Sequence, residues 1–123
     1  MKRALALMAL LAASCSQADE PACQPEDYAV PKTPDKWSEQ IESAGSCVRH
    51  WSKVYAKVRE SAGDVADAAL AQCNVFFVNL AVLSERQPRE AVGKVSSDAW
   101  RAQYRPNALI TVFGYRGAGC GGV

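Results

Sequence analysis

The residues that could do chemistry gather around His50, the only histidine in the 123-residue chain. Cys47 precedes it by three positions, so on a helix both side chains share one face and could bind zinc together with Cys73. A nucleophilic mechanism would need a carboxylate to orient the imidazole, but no acidic residue lies three or four positions from His50. We therefore predict no catalytic residue and no cofactor. The zinc alternative depends on whether the cysteines are oxidised.

The N-terminus predicts export, which decides the state of the cysteines. Two basic residues precede an uncharged run over residues 4–13, and small residues follow it. This is the pattern of a secretory signal peptide, and the run is shorter than the roughly 20 apolar residues that span a bilayer. Cleavage that removes residues 1–18 would release a periplasmic protein. Alternatively, residues 12–15 resemble a lipobox, so that residues 1–14 are removed and a lipidated Cys15 anchors the protein in the outer membrane. We favour the lipoprotein.

Export predicts that the four remaining cysteines form two disulfides rather than a zinc site. Cys47 and Cys73 are expected on the facing sides of two consecutive helices, which makes them natural partners. Cys23 would then pair with Cys120, joining an acidic N-terminal part to a basic C-terminal part. We predict these two bonds among the three connectivities that four cysteines allow.

An extended leader and a first helix are predicted ahead of Cys73. Prolines among acidic residues keep residues 19–33 out of a helix. Helix 1 is expected to begin near Pro34 and to end at Gly63, which is available for a left-handed cap. Apolar residues recur along it at steps of three and four, as one helical stripe requires. They are Trp37, Ile41, Ala44, Val48, Trp51, Tyr55 and Val58.

A second helix is predicted to follow directly and to occupy the centre of the domain. Asp64 is expected to cap it, and the helical pattern runs to Leu83. Residues 75–83 are apolar on nearly every face, which favours burial from more than one side. The Val and Phe content leaves an alternative, in which 75–83 pairs as a strand with residues 109–113 in an α+β fold.

The C-terminal third is expected to be helical with a break at Pro106. Residues 88–104 have helical spacing, and 107–116 is predicted as a short final helix because a lone strand there would leave its backbone unpaired. The Gly-rich tail, 118–123, has too little side chain to hold structure by itself. We therefore predict an all-α domain over residues 34–117, with three to four helices and two disulfides.

One surface of helix 1 is predicted to dock a partner. Arg49, Lys53 and Lys57 follow one another at steps of four, with His50 beside them. Like charges at this spacing repel by a few tenths of a kcal/mol, so the arrangement favours an anionic partner. We call these four residues the basic stripe and expect an acidic protein patch or an anionic envelope component to bind it.

The signal, the cysteines on a helical pair and the closing Tyr-Arg-Gly-Ala-Gly-Cys of residues 115–120 resemble small, uncharacterised exported helical proteins of Gram-negative bacteria. Periplasmic immunity proteins, which neutralise secreted toxins, are similar in size, helicity and paired cysteines. The resemblance implies a small helical envelope protein. A net charge of +1 gives no footprint for nucleic acid. We predict a non-catalytic envelope protein that binds another protein or an anionic envelope component and meets the membrane only through Cys15. The alternatives are an immunity-type inhibitor and a hydrolase that works without histidine.

Overall fold

The computed structural model describes residues 21–31, 35–86 and 95–120, and within them the fold is all-α. Four α-helices follow one short 3₁₀ helix, and this part of the chain contains no strand. The all-α prediction is confirmed, and the α+β alternative is wrong. The predicted signal segment with Cys15, the expected start of helix 1 at Pro34, residues 88–94 of the helix predicted over 88–104 and the last three residues of the tail lie outside the described residues. The helices are the 3₁₀ turn Pro21–Cys23, α1 (Trp37–Tyr55), α2 (Ala62–Gln72), α3 (Asn74–Ser84) and α4 (Ser97–Gly117).

Helix α1 buries a slightly different face from the predicted stripe. Ala44, Cys47 and Val48 are fully buried, whereas Ile41 is 37% exposed. The helix also ends at Tyr55, which leaves Val58 in the following loop. The shift follows from packing, because α1 contacts α2, α3 and α4, and the arc that faces all three is centred on Cys47 rather than on the aromatic residues.

Helix α2 begins three residues earlier than predicted. Ser61 is its N-cap: its hydroxyl accepts a hydrogen bond from the backbone N–H of Asp64 (3.1 Å) and donates one to the Asp64 carboxylate (2.8 Å). This reciprocal cap satisfies a backbone donor at the helix start that Asp64 itself could not reach. Gly63 therefore lies inside α2 and does not end α1, and among the described residues only Gly119 has a positive φ.

The single helix predicted over residues 64–83 is broken at Cys73. The axes of α2 and α3 differ by 63°. Cys73 N–H bonds to Leu70 O at 3.1 Å, a tight three-residue turn that ends α2. The bend turns Phe76 and Phe77 into the core, where both are buried. Among the described residues no single helix is long and apolar enough to cross a membrane, although the bent pair of α2 and α3 meets the same length and composition limits.

Helix α4 runs through Pro106 without a break, so it joins residues 97–104 of the first predicted helix to the final helix predicted over 107–116. Ser96 caps its start by accepting from Ala99 N–H at 3.1 Å. Pro106 cannot donate to the carbonyl of Ala102. Both residues are exposed, so water can satisfy that carbonyl, and the helix tolerates the proline.

The two disulfides have the predicted connectivity. Cys47–Cys73 ties α1 to the junction of α2 and α3, inside the main core built around Phe76, Phe77 and Leu80. Cys23–Cys120 ties the leader to the chain just beyond the turn that follows α4, beside a smaller cluster that includes Ala56, Val65, Val112 and Tyr115. One bond therefore holds the helices together and the other holds the leader to them.

Candidate functional site

The leader of the same chain covers most of the basic stripe. Arg49 Nε donates to Glu26 Oε2 at 2.7 Å, and His50 Nδ1 donates to the Glu26 carbonyl at 2.6 Å. One turn further along α1, Lys53 Nζ donates to the carbonyl of Gln24 at 3.0 Å. Three of the four stripe residues are thus bound by the leader, and Lys57 lies exposed beyond the end of α1.

Aromatic contacts hold the leader against the same surface. Trp51 Nε1 donates to the Tyr28 hydroxyl at 3.0 Å. The Tyr28 ring meets His50 edge to face at 5.1 Å and Phe76 at 6.2 Å between centroids. The leader is therefore an extended cover over α1. We expected the basic stripe of α1 to be uncovered and to bind an anion of a partner. In the structure Glu26 of the same chain supplies an anion to it, through the ion pair with Arg49.

His50 is a structural contact of the leader. Its Nδ1 carries a proton, since a carbonyl can only accept, and the nearby Glu26 carboxylate is engaged by Arg49 instead. The zinc site considered from the sequence does not form, because Cys47 and Cys73 share a disulfide. Within the described ranges no group of three or more His, Cys, Asp or Glu residues could hold a metal ion.

Tyr104 is the titratable group whose burial has the clearest effect. Burial raises its pKa above 10.0, and the Arg49 guanidinium opposes this shift. Its hydroxyl donates to the carbonyl of Ile41 at 3.2 Å, which links α4 to α1. The hydroxyl is thus a neutral donor in the helix packing, and its proton is held more firmly than in water.

The most distinctive surface of the described chain is the outer side of α4. After Asp98, which lies in the first turn, none of the exposed residues of this 21-residue helix is charged. Two of them are large and apolar: Ile110 is 69% exposed and Phe113 is 61% exposed. We call these exposed residues the α4 outer face. They are Ala99, Ala102, Gln103, Pro106, Asn107, Ile110, Phe113, Gly114 and Gly117.

The three arginines of α4 leave this face free of charge because each binds a group to one side of it. Arg101 pairs with Asp98 at 3.0 Å and with the Asn74 side chain. Arg105 pairs with Asp67 of α2 at 2.9 Å.

Arg116 donates to three backbone carbonyls in the loop between α1 and α2, at 2.8–3.2 Å. Such contacts fix the long side chains along the flanks of α4. The α4 outer face is therefore electrically neutral and mostly apolar, with Gln103 and Asn107 as its polar residues.

A second apolar strip lies next to this face on α3. Val75, Val78 and Val82 are each about half exposed on one side of the helix. A groove lined by Ala81 of α3, by Glu85 just after that helix and by Ala99 and Gln103 of α4 runs between the two helices. Exposed apolar side chains thus lie on two neighbouring helices, and Glu85 is among the residues that line the groove between them.

Sequence reasoning missed the α4 outer face because it placed a break at Pro106. Once the helix is continuous, residues 99, 102, 103, 106, 110, 113, 114 and 117 recur at steps of one, three and four. That spacing places them on one side of a helix. The signal was present in the sequence, but only for a helix that passes through the proline.

Comparison with models of protein families, with curated proteins and with solved structures finds no match to this chain. The candidate site is accordingly defined by the chain's own residues.

Proposed function

We propose that the chain is a non-catalytic exported protein of the cell envelope that binds another protein through the α4 outer face. The observation that carries the proposal is the exposure of Ile110 and Phe113 on a face without charge. Full burial of such a side chain is worth about 1.5–3 kcal/mol, and because each of these two is between 61% and 69% exposed, covering it with a partner contributes a corresponding part of that. Exposed apolar surface of this kind marks protein interaction sites when it is contiguous.

Export is supported by the cysteines. Cys23, Cys47, Cys73 and Cys120 all form disulfides, and such bonds persist in oxidising compartments. The signal-like N-terminus agrees with secretion to the periplasm, and a lipid on Cys15 would anchor the protein in the outer membrane. Partner binding would then take place in the envelope.

A protein partner is favoured over an anionic polymer. A polymer such as an acidic glycan would need a row of accessible cations, but Arg49, His50 and Lys53 are held by the leader, and Lys57 is the one member of the basic stripe that is exposed beyond those contacts. The arginines of α4 are likewise bound within the chain. A neutral apolar face is matched by an apolar protein surface, because interface cores are depleted of charge and enriched in aromatic residues.

The proposal is tested by photo-crosslinking in cells that express the full chain. A photoreactive phenylalanine analogue replaces Phe113 in one variant and Val30 in a control variant. Val30 is 66% exposed and lies on the leader, away from α4 in sequence and in contacts. We expect one discrete protein adduct from position 113 and none from position 30. Equal labelling from both positions, or no adduct from 113, would contradict the proposal.

A further inference from the structure

Resting on the proposed function, we infer that the protein bound at the α4 outer face is a second copy of this chain, with the two α4 helices antiparallel. In a two-fold interface each surface patch meets its own copy. The patch must therefore be compatible with itself in charge, shape and area. The α4 outer face meets the conditions on charge and shape. Its area sets the affinity that we expect for the dimer.

The charge condition is strict for an interface of this kind. Any net charge near a two-fold axis faces an equal charge on the other copy, and like charges brought together are destabilising. The α4 outer face carries no charged residue over its length after Asp98. The exposed acids of α1 and α2, such as Glu42 and Asp67, make the outer faces of those two helices less suitable.

The order of large and small residues fits an antiparallel pair. The face is arranged about the buried Ala108, which lies near the middle of the helix. Small residues lie at equal distances on the two sides of it: Ala99 with Gly117, and Ala102 with Gly114. When two copies run antiparallel about Ala108, small residues face small residues near both ends, which allows the axes to approach closely.

The large residues fill the middle of the same arrangement. Pro106 and Ile110 are each two positions from Ala108, so Ile110 of one copy lies against Pro106 of the other. Phe113 and Gln103 are each five positions away, so each Phe113 ring covers the side chain of Gln103 in the other copy. A parallel pair would instead place Phe113 on Phe113 and leave the Ala half of the face loosely packed.

The area indicates a reversible dimer. A helix of this length measures about 30 Å, and a contact about 10 Å wide would bury roughly 300 Å² on each copy. The neighbouring valines of α3 extend it, for a total on the order of 600–1,000 Å², below the range of stable complexes. We therefore expect self-association with a dissociation constant in the micromolar range or weaker.

Sedimentation equilibrium of the purified mature chain tests this inference. We expect a monomer–dimer equilibrium that Phe113→Asp weakens by about a hundredfold or more, because two carboxylates would be buried without partners. The matched control, Val30→Asp, introduces the same charge at another exposed apolar residue and is expected to leave the equilibrium unchanged. Circular dichroism checks that both variants keep their helices. A parent protein that stays monomeric at several hundred micromolar would overturn the inference.

The crosslinking product separates failure of this inference from failure of the proposed function. We expect the adduct from position 113 to have twice the mass of the chain, with the link on the peptide that contains Gln103. An adduct with a different protein would overturn the second copy and retain the proposed function. A self-adduct linked near position 113 would refute the antiparallel arrangement. No adduct at all would contradict both proposals.

Discussion

The disulfide between Cys23 and Cys120 is expected to carry a large part of the stability of the fold. It joins residues separated by 97 positions, whereas Cys47–Cys73 joins residues 26 apart. Closing the longer loop in the unfolded chain stabilises the native state by about 4.7 kcal/mol in the chain-entropy account, and the shorter loop by about 3.5 kcal/mol. The free energy of unfolding of a domain is about 5–15 kcal/mol. Replacing Cys23 and Cys120 together by Ala should therefore remove a large share of this stability.

The other contacts of the leader are too weak to offset this loss. The Glu26–Arg49 ion pair has both side chains about 40% exposed, and exposed pairs contribute about 1 kcal/mol or less. The hydrogen bond from Trp51 to Tyr28 adds about 1 kcal/mol. Holding the leader in place without its covalent tie also costs backbone entropy.

Urea unfolding followed by helical circular dichroism measures the effect. For Cys23→Ala with Cys120→Ala we expect the free energy of unfolding to fall by about 4–5 kcal/mol and the denaturant slope to rise, because the unfolded chain expands. The control, Cys47→Ala with Cys73→Ala, should lose about 3.5 kcal/mol plus a cavity contribution, since both side chains are fully buried. If a variant is unfolded in buffer, an osmolyte such as sucrose brings its transition into range. A loss below about 1 kcal/mol with an unchanged slope would refute this account of the leader bond.

Three further predictions follow from particular residues. Because burial raises the pKa of Tyr104, the unfolded state loses this proton first, so stability is retained below about pH 10 and falls as the pH rises beyond it. Tyr104→Phe removes the hydrogen bond to Ile41 O, so it should lower the free energy of unfolding by about 1 kcal/mol at pH 7 and reduce the loss of stability at alkaline pH. If urea unfolding shows the same dependence of stability on pH above 10 for parent and variant, this prediction is contradicted. Pro106→Ala should raise the free energy of unfolding by up to about 3 kcal/mol, through helix propensity, and the thermal midpoint with it. A lowered midpoint would show that the proline is needed where it stands. Mass spectrometry of the mature N-terminus should find a lipidated Cys15, whereas an unmodified chain that begins at Asp19 would mean plain secretion.

The cysteine pairing could be predicted from the sequence because it depends on the number of cysteines and on which of them lie on helices. Cys47 and Cys73 lie on consecutive helical patterns, and once they are paired and Cys15 is removed or lipidated, Cys23 and Cys120 have only each other. The helical class followed from periodicity, which is the most reliable signal in a single sequence. These inferences do not depend on where a helix begins or ends.

The errors arose where local chemistry competes with propensity. Asp64 looks like a cap by residue type, but Ser61 caps α2 because its hydroxyl and the Asp64 carboxylate satisfy each other. Cys73 is not a residue type that breaks helices. The chain bends there because the residues before and after it, such as Leu70 and Phe76, are both buried in the core. Pro106 carries a strong one, but it lies on an exposed face that tolerates it.

The basic stripe shows why the candidate site could not be read from charges on one helix. Glu26 is 23 residues from Arg49 in sequence, and a proline-containing segment gives no periodicity that would place it. Its position depends on Cys23–Cys120 and on Tyr28 packing over Phe76. Only the tertiary structure shows that the leader supplies the anion and that Ile110 and Phe113 are exposed on an uncharged face of α4.

Hydroxyl-radical footprinting of Phe113 tests the central claim most directly. The ring is 61% exposed in the monomer, so it should react readily in dilute purified protein. The α4 outer face is proposed to be covered by a protein partner in the envelope. We therefore expect Phe113 to be protected several-fold in cells that express the full chain, with Val30 equally reactive in both settings. Equal reactivity of Phe113 in cells and in dilute solution would contradict the claim.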